Sequence, residues 1–295
     1  MKHVNLLVKP ASSLCNLRCK YCFYEDEAIN RSLHSMGIMH EDLAETLIMQ
    51  AFEAVDPDGT VSFAFQGGEP TLAGLPFFEH FVDKVHELQP SGVNVTFSIQ
   101  TNGTLISDAW AKFFKRERFL VGLSLDGFRD THDAHRVDAN GYGTWRKVLA
   151  AKGLLEKYGV DYNALCVVTK RCAAHPEQAY NTLKQLGFRY IQFIACLDPI
   201  GHKRGCEPWS LTPDAYGKFL CRVFDLWYQD LEKGKFVYIG YFINLINMLR
   251  GGRPQTCGMS GSCSRQHVIE ADGSVYPCDF YVLDEYRIGN LNTDS

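Results

Sequence analysis

No run of this sequence is long and apolar enough to cross a bilayer. The longest candidate, Phe236 to Leu249, is interrupted by Gly240, Asn244 and Asn247. The N-terminal MKHVNLLVKP lacks the extended apolar core of a secretory signal. A cytoplasmic protein without membrane contact is expected. An excess of positive charge is also missing. The 30 lysines and arginines are outnumbered by 34 aspartates and glutamates, a net charge of −4. That argues against nucleic-acid binding driven by counterion release. Cysteine is too sparse for a disulfide scaffold, at 11 in 295 residues, and an odd number cannot all pair. There is no internal repeat and no low-complexity linker. What is present is 46% hydrophobic and 13% aromatic residues, which excludes disorder and fills one large α/β domain or two smaller ones.

The cysteines gain meaning from their positions. Cys15, Cys19 and Cys22 crowd together near the start of the chain, and Cys257, Cys263 and Cys278 form a looser group near its end. Such clusters read as metal sites in a reducing compartment rather than as disulfides. Cys166 and Cys196 lie in apolar, strand-like runs and read as buried core thiols. Cys172, Cys206 and Cys221 follow no pattern, and the ten histidines show no ligand spacing.

Six short apolar runs punctuate the first two thirds of the chain: VNLLV (4–8), VSFAF (61–65), VTFSI (95–99), LVGLSL (120–125), ALCVV (164–168) and YIQFIA (190–195). Their near-continuous hydrophobicity suits parallel strands buried on both faces. Amphipathic helical stripes lie between them, one through Leu43, Leu47, Ile48, Ala51, Phe52 and Val55, another through Phe77, Phe81, Val82, Val85 and Leu88. Ser107 and Thr144 are expected N-caps, and Gly159 and Gly187 expected C-caps. Six strand–helix units predict an open, partial barrel with its chemistry at the carboxyl ends of the strands. The polar motifs follow those ends: KPASS after the first, QGGEP after the second, QTNG after the third, Asp126-Gly127 after the fourth. A helix opened by Thr212 and Pro213 follows, with Trp227 on its apolar side, then a second apolar helix ended by Gly251-Gly252. The C-terminal stretch that holds the second cysteine group also carries a hairpin signal, with Asp272-Gly273 at its turn.

The loop Cys15-x3-Cys19-x2-Cys22 offers three thiolates, which can hold a cubane iron–sulfur cluster and leave one iron without a protein ligand. An open position is what a chemically active metal site needs. A partial zinc site and inert thiols are the alternatives, with His3 and His34 poorly placed as a fourth zinc ligand. In Gln66-Gly67-Gly68-Glu69-Pro70, two glycines allow the backbone close to a ligand, and the glutamate can receive an ammonium group.

CNLRCKYC followed by GGEP resembles the radical S-adenosylmethionine superfamily. The resemblance extends along the chain through KPASS, SFAFQGGEPTLAGL, IQTNGTLI, LVGLSLDG, LCVVT, CLDP, FDLWY and DGSVYPCDFYVLD. In these motifs the chain is similar to the anaerobic sulfatase-maturating enzymes. The resemblance implies an α/β fold, a partial (βα)6 barrel over residues 1–210, a helical connection over 211–252, and a Cys-rich SPASM-like extension from 253 to 295. It also implies an oxidoreductase that uses a 5′-deoxyadenosyl radical to turn a sulfatase cysteine or serine into Cα-formylglycine. Another SPASM-type peptide-modifying enzyme, or a cluster-binding protein without turnover, is the alternative.

Carried over by position, Cys15, Cys19 and Cys22 would hold a [4Fe-4S] cluster. Tyr21, Gln66, Gly68, Glu69, Ser124, Arg136 and Leu197 would line the S-adenosylmethionine site, and Asp279 would be the general base. Cys257, Cys263 and Cys278 match the first ligands of an auxiliary cluster whose further cysteines do not occur before Ser295, so a truncated extension is expected. The implied partners are a sulfatase polypeptide and an electron donor such as flavodoxin or ferredoxin, acting on a monomer.

Overall fold

The computed structural model describes residues 1–263 and 266–294; Ser295, where the truncation is expected, lies outside the described residues. Six parallel strands appear in chain order: β1 (His3–Val8), β2 (Thr60–Phe65), β3 (Asn94–Thr101), β4 (Leu120–Ser124), β5 (Asp161–Val168) and β6 (Tyr190–Ala195). Each pairs with the next in register, such as Val8 with Phe65 and Phe65 with Ile99. Helices separate them, including Glu41–Ala54, Leu75–Leu88, Asp108–Arg116, Trp145–Tyr158 and Pro176–Gln185. The expected strand–helix alternation is therefore present.

The sheet is wider than six strands. β7 (Tyr238–Ile239) adds in parallel beside β6, and β8 (His267–Ile269) adds in parallel on the free side of β1. β9 (Ser274–Tyr276) pairs antiparallel with β8 across the Asp272-Gly273 turn, and β10 (Gly289–Asn290) closes the edge against β9. The result is one ten-stranded sheet, ordered β10-β9-β8-β1-β2-β3-β4-β5-β6-β7. The hairpin was legible because its turn is local. Its docking on β1, at the opposite end of the chain, has no local signal.

Side chains on β2 alternate, so Val61, Phe63 and Phe65 point into the core. They meet the helix Leu75–Leu88, whose apolar face includes Phe78 and Phe81, both fully buried. Phe63 and Phe81 sit edge-to-face at 5.1 Å, Phe65 and Phe78 at 4.9 Å, and Phe97 stacks on Phe119 at 5.1 Å. Such aromatic pairs add stability beyond the area they bury. Trp227 lies in the core as expected, its indole N–H donating to the Val237 carbonyl at 2.7 Å.

Two local expectations need correction. Thr144 precedes the helix Trp145–Tyr158 but does not cap it; its hydroxyl donates to the Arg136 carbonyl instead. Cys196 is buried just past the end of β6 rather than inside it. Ser107 accepts from the Trp110 N–H, and Gly159 adopts the left-handed C-cap conformation. No helix among the described residues is long and apolar enough to cross a membrane.

Phe81 contacts both β2 phenylalanines, so Phe81→Ala opens a cavity at the sheet–helix seam. The expected loss is about 3–5 kcal/mol of unfolding free energy, read from urea denaturation.

Candidate active site

The loops after β1 and β2 are joined by their backbones. The Gly68 N–H donates to the Ser12 carbonyl at 2.8 Å, and the Glu69 N–H to the Leu14 carbonyl at 2.7 Å. Gly67 has φ +120°, and a Cβ on Gly68 would collide with the Leu14 carbonyl oxygen. The close approach that the two glycines permit is thus to the cysteine-bearing loop itself. Glu69 is fully buried, and its oxygens accept from the Thr71 N–H and hydroxyl, the Thr101 hydroxyl and the Asn102 N–H. It braces the ends of β2 and β3. Asn102 extends the brace, its amide donating to Asn16 at 2.8 Å and facing the Cys15 sulfur at 3.9 Å.

Cys15, Cys19 and Cys22 are half-buried free thiols at one end of the sheet. Burial pushes Cys15 up to about 11 and Cys19 up to about 12, and raises Cys22. The thiols are near enough to disfavour one another's ionisation. As thiolates they need positive charge at close range, which iron supplies. No group of three Cys, His, Asp or Glu among the described residues converges on a point suited to a single ion. A cubane takes each thiolate on a separate iron, whereas zinc gathers its ligands about one centre. Three thiols on one loop are a donor set that suits a cubane with one open iron.

Beside the thiols stands a polar network centred on Asp126, at the end of β4. Arg136 donates to both Asp126 oxygens from Nε and Nη2, at 3.0 and 3.2 Å. The Val167 N–H and the Tyr21 hydroxyl donate to the same carboxylate. Burial opposes the charge on Asp126, yet the Arg136 guanidinium holds its carboxyl below the usual range. The His132 Nδ1 accepts from the Asp126 N–H, which assigns the proton to Nε2, 3.0 Å from the Thr144 hydroxyl. Burial keeps this imidazole neutral, down to about 4. The sequence marked Asp126 as a polar residue at a strand end, but not as the group that joins Tyr21 and Arg136. Ser124 is the last residue of β4, and Leu197 is about half exposed beyond β6.

The C-terminal segment reaches the same end of the sheet. Asp279 Oδ2 accepts from the Tyr24 hydroxyl at 2.9 Å and from Gln66 Nε2 at 3.2 Å. A residue of the QGGEP loop and one following Cys278 are thus in direct contact. Cys257 and Cys263 are exposed, while Cys278 is half-buried and senses both as electrostatic neighbours.

A cavity of about 400 Å³ opens beside the first cysteine loop, lined by Cys19, Tyr21, Cys22, Leu197 and Trp209. A larger hollow of about 1290 Å³ runs along β6 from Tyr190 to Ile194 and reaches Phe280, next to Asp279. The smaller one borders the chemistry; the larger offers room for an extended chain.

The Radical SAM superfamily profile matches residues 10–186, and an iron–sulfur cluster-binding profile, SPASM, matches 257–295. The cysteine-type anaerobic sulfatase-maturating enzyme of Clostridium novyi (strain NT) is 50% identical over 291 residues, covering 99% of this chain and 77% of that relative. This chain belongs to the anaerobic sulfatase-maturating enzymes of the radical SAM superfamily. A serine-type relative from Bacteroides thetaiotaomicron is 33% identical, covering 98% of this chain and 72% of its own length. Two solved structures align closely: native anSMEcpe with bound AdoMet (TM-score 0.94, 46% identity), and the same enzyme with AdoMet and the Kp18Cys peptide (TM-score 0.93, 45% identity). Both alignments cover 99% of this chain, and 79% and 78% of those chains. The fold is accordingly the radical SAM α/β fold, with a SPASM-like C-terminal region and a cofactor set of S-adenosylmethionine and iron–sulfur clusters.

Gly68→Ala forces the two loops apart at a backbone contact. The expected outcome is about 1–3 kcal/mol lower stability, seen in thermal melts, with reduced iron uptake on anaerobic reconstitution. Arg136→Met strands a buried carboxylate, at about 3–5 kcal/mol. Adding Asp126→Asn should recover most of that loss in a double-mutant cycle followed by urea denaturation.

Proposed function

We propose that this chain oxidises an active-site cysteine of a sulfatase polypeptide to Cα-formylglycine. The observation that carries the reading is the meeting of Gln66 and Tyr24 with Asp279, which puts a carboxylate at the end of the sheet that bears the cysteine loop. In this reading Cys15, Cys19 and Cys22 hold the [4Fe-4S] cluster. Tyr21, Gln66, Gly68, Glu69, Ser124, Arg136 and Leu197 shape the site for S-adenosylmethionine. When bound, cluster and cofactor supply one-electron reductive cleavage of the sulfonium to a 5′-deoxyadenosyl radical.

The substrate, having lost a hydrogen atom from Cβ, must still lose one proton and one electron to become a thioaldehyde, which hydrolysis converts to the aldehyde. Asp279 takes the proton; its side chain is mostly buried, which keeps competing water away. The electron passes to an acceptor, and Cys257, Cys263 and Cys278 are the side chains that would help hold an auxiliary cluster for that purpose. Glu69 shapes the site through its brace on the backbone, since protein donors already surround its carboxylate. The cysteine preference follows the higher identity to the cysteine-type relative. The reading includes a barrel over 1–210, a helical connection over 211–252 and an auxiliary-cluster region over 253–295. It also takes the enzyme as a cytoplasmic monomer reduced by a flavodoxin- or ferredoxin-type donor.

Anaerobically reconstituted protein is to be incubated with dithionite, S-adenosylmethionine and a sulfatase-motif peptide. Formation of 5′-deoxyadenosine with the mass loss of thiol-to-aldehyde conversion is expected, faster for a cysteine peptide than for its serine analogue. Asp279→Asn should keep cofactor cleavage and lower peptide oxidation about 100-fold or more. Loss of both together would remove Asp279 from the base role.

A further inference from the structure

Behind Asp279 lies a buried charged pair to which the chemistry above gives no role. Lys9, the first residue after β1, and Glu27, in the helix Phe23–Ile29, are each 2% exposed. The Lys9 ammonium stands 3.3 Å from Glu27 Oε2, 3.5 Å from Asp279 Oδ1 and 4.8 Å from the centre of the Tyr24 ring. One cation therefore serves two carboxylates. The other Glu27 oxygen accepts the Val282 N–H at 3.2 Å, just beyond Asp279 in the chain. Glu27 thus holds both the ammonium and the turn that presents Asp279.

The two oxygens of Asp279 have different surroundings. Oδ2 accepts from Tyr24 and Gln66, whereas Oδ1 is buried and makes no hydrogen bond of its own. The Lys9 charge is what faces Oδ1. Burying a lysine and two carboxylates together is expensive, and an apolar trio of similar volume would pack at lower cost. Simple anchoring does not call for such an arrangement. Holding a carboxylate in one rotamer, still charged, does.

We propose that Lys9, clamped by Glu27, is the positioning residue that fixes the orientation of Asp279 for proton acceptance from the substrate. The ammonium holds Oδ1 while Tyr24 and Gln66 hold Oδ2, so the carboxylate plane is set from both sides before substrate arrives. Glu27 keeps Lys9 from closing fully onto Asp279, which would bury the base in a tight ion pair. This assignment rests on the function proposed above for Asp279.

The test compares Lys9→Met, Lys9→Arg and the double variant Lys9→Met/Glu27→Gln in reconstituted protein. The double variant matters because it removes the ammonium and its Glu27 partner together, so that neither is left buried without the other. Iron content, 5′-deoxyadenosine formed, and oxidised peptide per 5′-deoxyadenosine are measured, with kcat and KM for peptide separated. The expected result is wild-type iron content and continued cofactor cleavage in the double variant. Its yield of oxidised peptide per cleavage should fall about tenfold or more, through kcat rather than KM. Lys9→Arg, which keeps the cation, should recover a substantial part of that yield. A double variant as tightly coupled as the wild type overturns the proposal. So does a parallel loss of iron, cleavage and oxidation, which marks a merely structural pair. If wild-type protein cleaves the cofactor but leaves the peptide unchanged, the function reading itself fails, and the assignment of Lys9 fails with it.

Discussion

The site depends on one backbone contact, the pair of hydrogen bonds by which the loop after β2 grips the loop after β1. The approach is possible because Gly68 has no Cβ: one placed there would collide with the Leu14 carbonyl. With the two loops joined, Glu69 is carried into the interior, where four protein donors fix it and tie in the end of β3. Three strand ends thereby become one rigid platform. The cysteine loop, which has little regular structure before Phe23, inherits its order from that platform rather than from itself.

The other half of the site arrives from the far end of the chain. Strand β8 lies against β1, and polar pairs, two of them buried and the third exposed between Ser32 and Asp284, tie the hairpin region to the residues after Cys22. Arg31 meets Glu270 at 2.6 Å with both side chains buried, Glu27 meets Val282, and Asp284 accepts from the Ser32 N–H. Removing one partner of either buried pair leaves an uncompensated charge or donor in a dry environment, so the docking is specific in register as well as favourable. Asp279 reaches the chemistry because this whole segment is indexed against the first strand.

Much of this could be read from the sequence, for identifiable reasons. The six strands and their helices carry local periodicity, and the two cysteine clusters are defined by spacing alone. The pairing of β8 with β1 was hidden because strand partnership between the two ends of a chain leaves no local pattern. The roles of Asp126, Lys9 and Glu27 were hidden for a different reason, although the motifs holding Lys9 and Asp126 stood out at strand ends. Each is an ordinary charged residue in sequence, and only burial among specific partners separates it from a solvated surface charge. Glu69 is the intermediate case: its motif is conspicuous in sequence, while the donors from Thr71, Thr101 and Asn102 that surround its carboxylate are visible only in the fold. The cap expected at Thr144 is absent for a similar reason, because its hydroxyl accepts from His132 and donates to the Arg136 carbonyl instead.

The neighbour that β8 provides for β1 also places a demand on biosynthesis. The first strand leaves the ribosome early, yet one of its hydrogen-bonding edges stays open until Ile269 has emerged. The thiols of Cys15, Cys19 and Cys22 are present throughout that interval, before Asp279 has met Tyr24 and Gln66. High contact order of this kind slows folding and exposes unpaired edges meanwhile. Metallation thus becomes a question of timing: a cell that loads iron before synthesis of the C-terminal hairpin would be filling a site that still lacks Asp279. Delivery after the last strands have docked is the order of events that this topology favours.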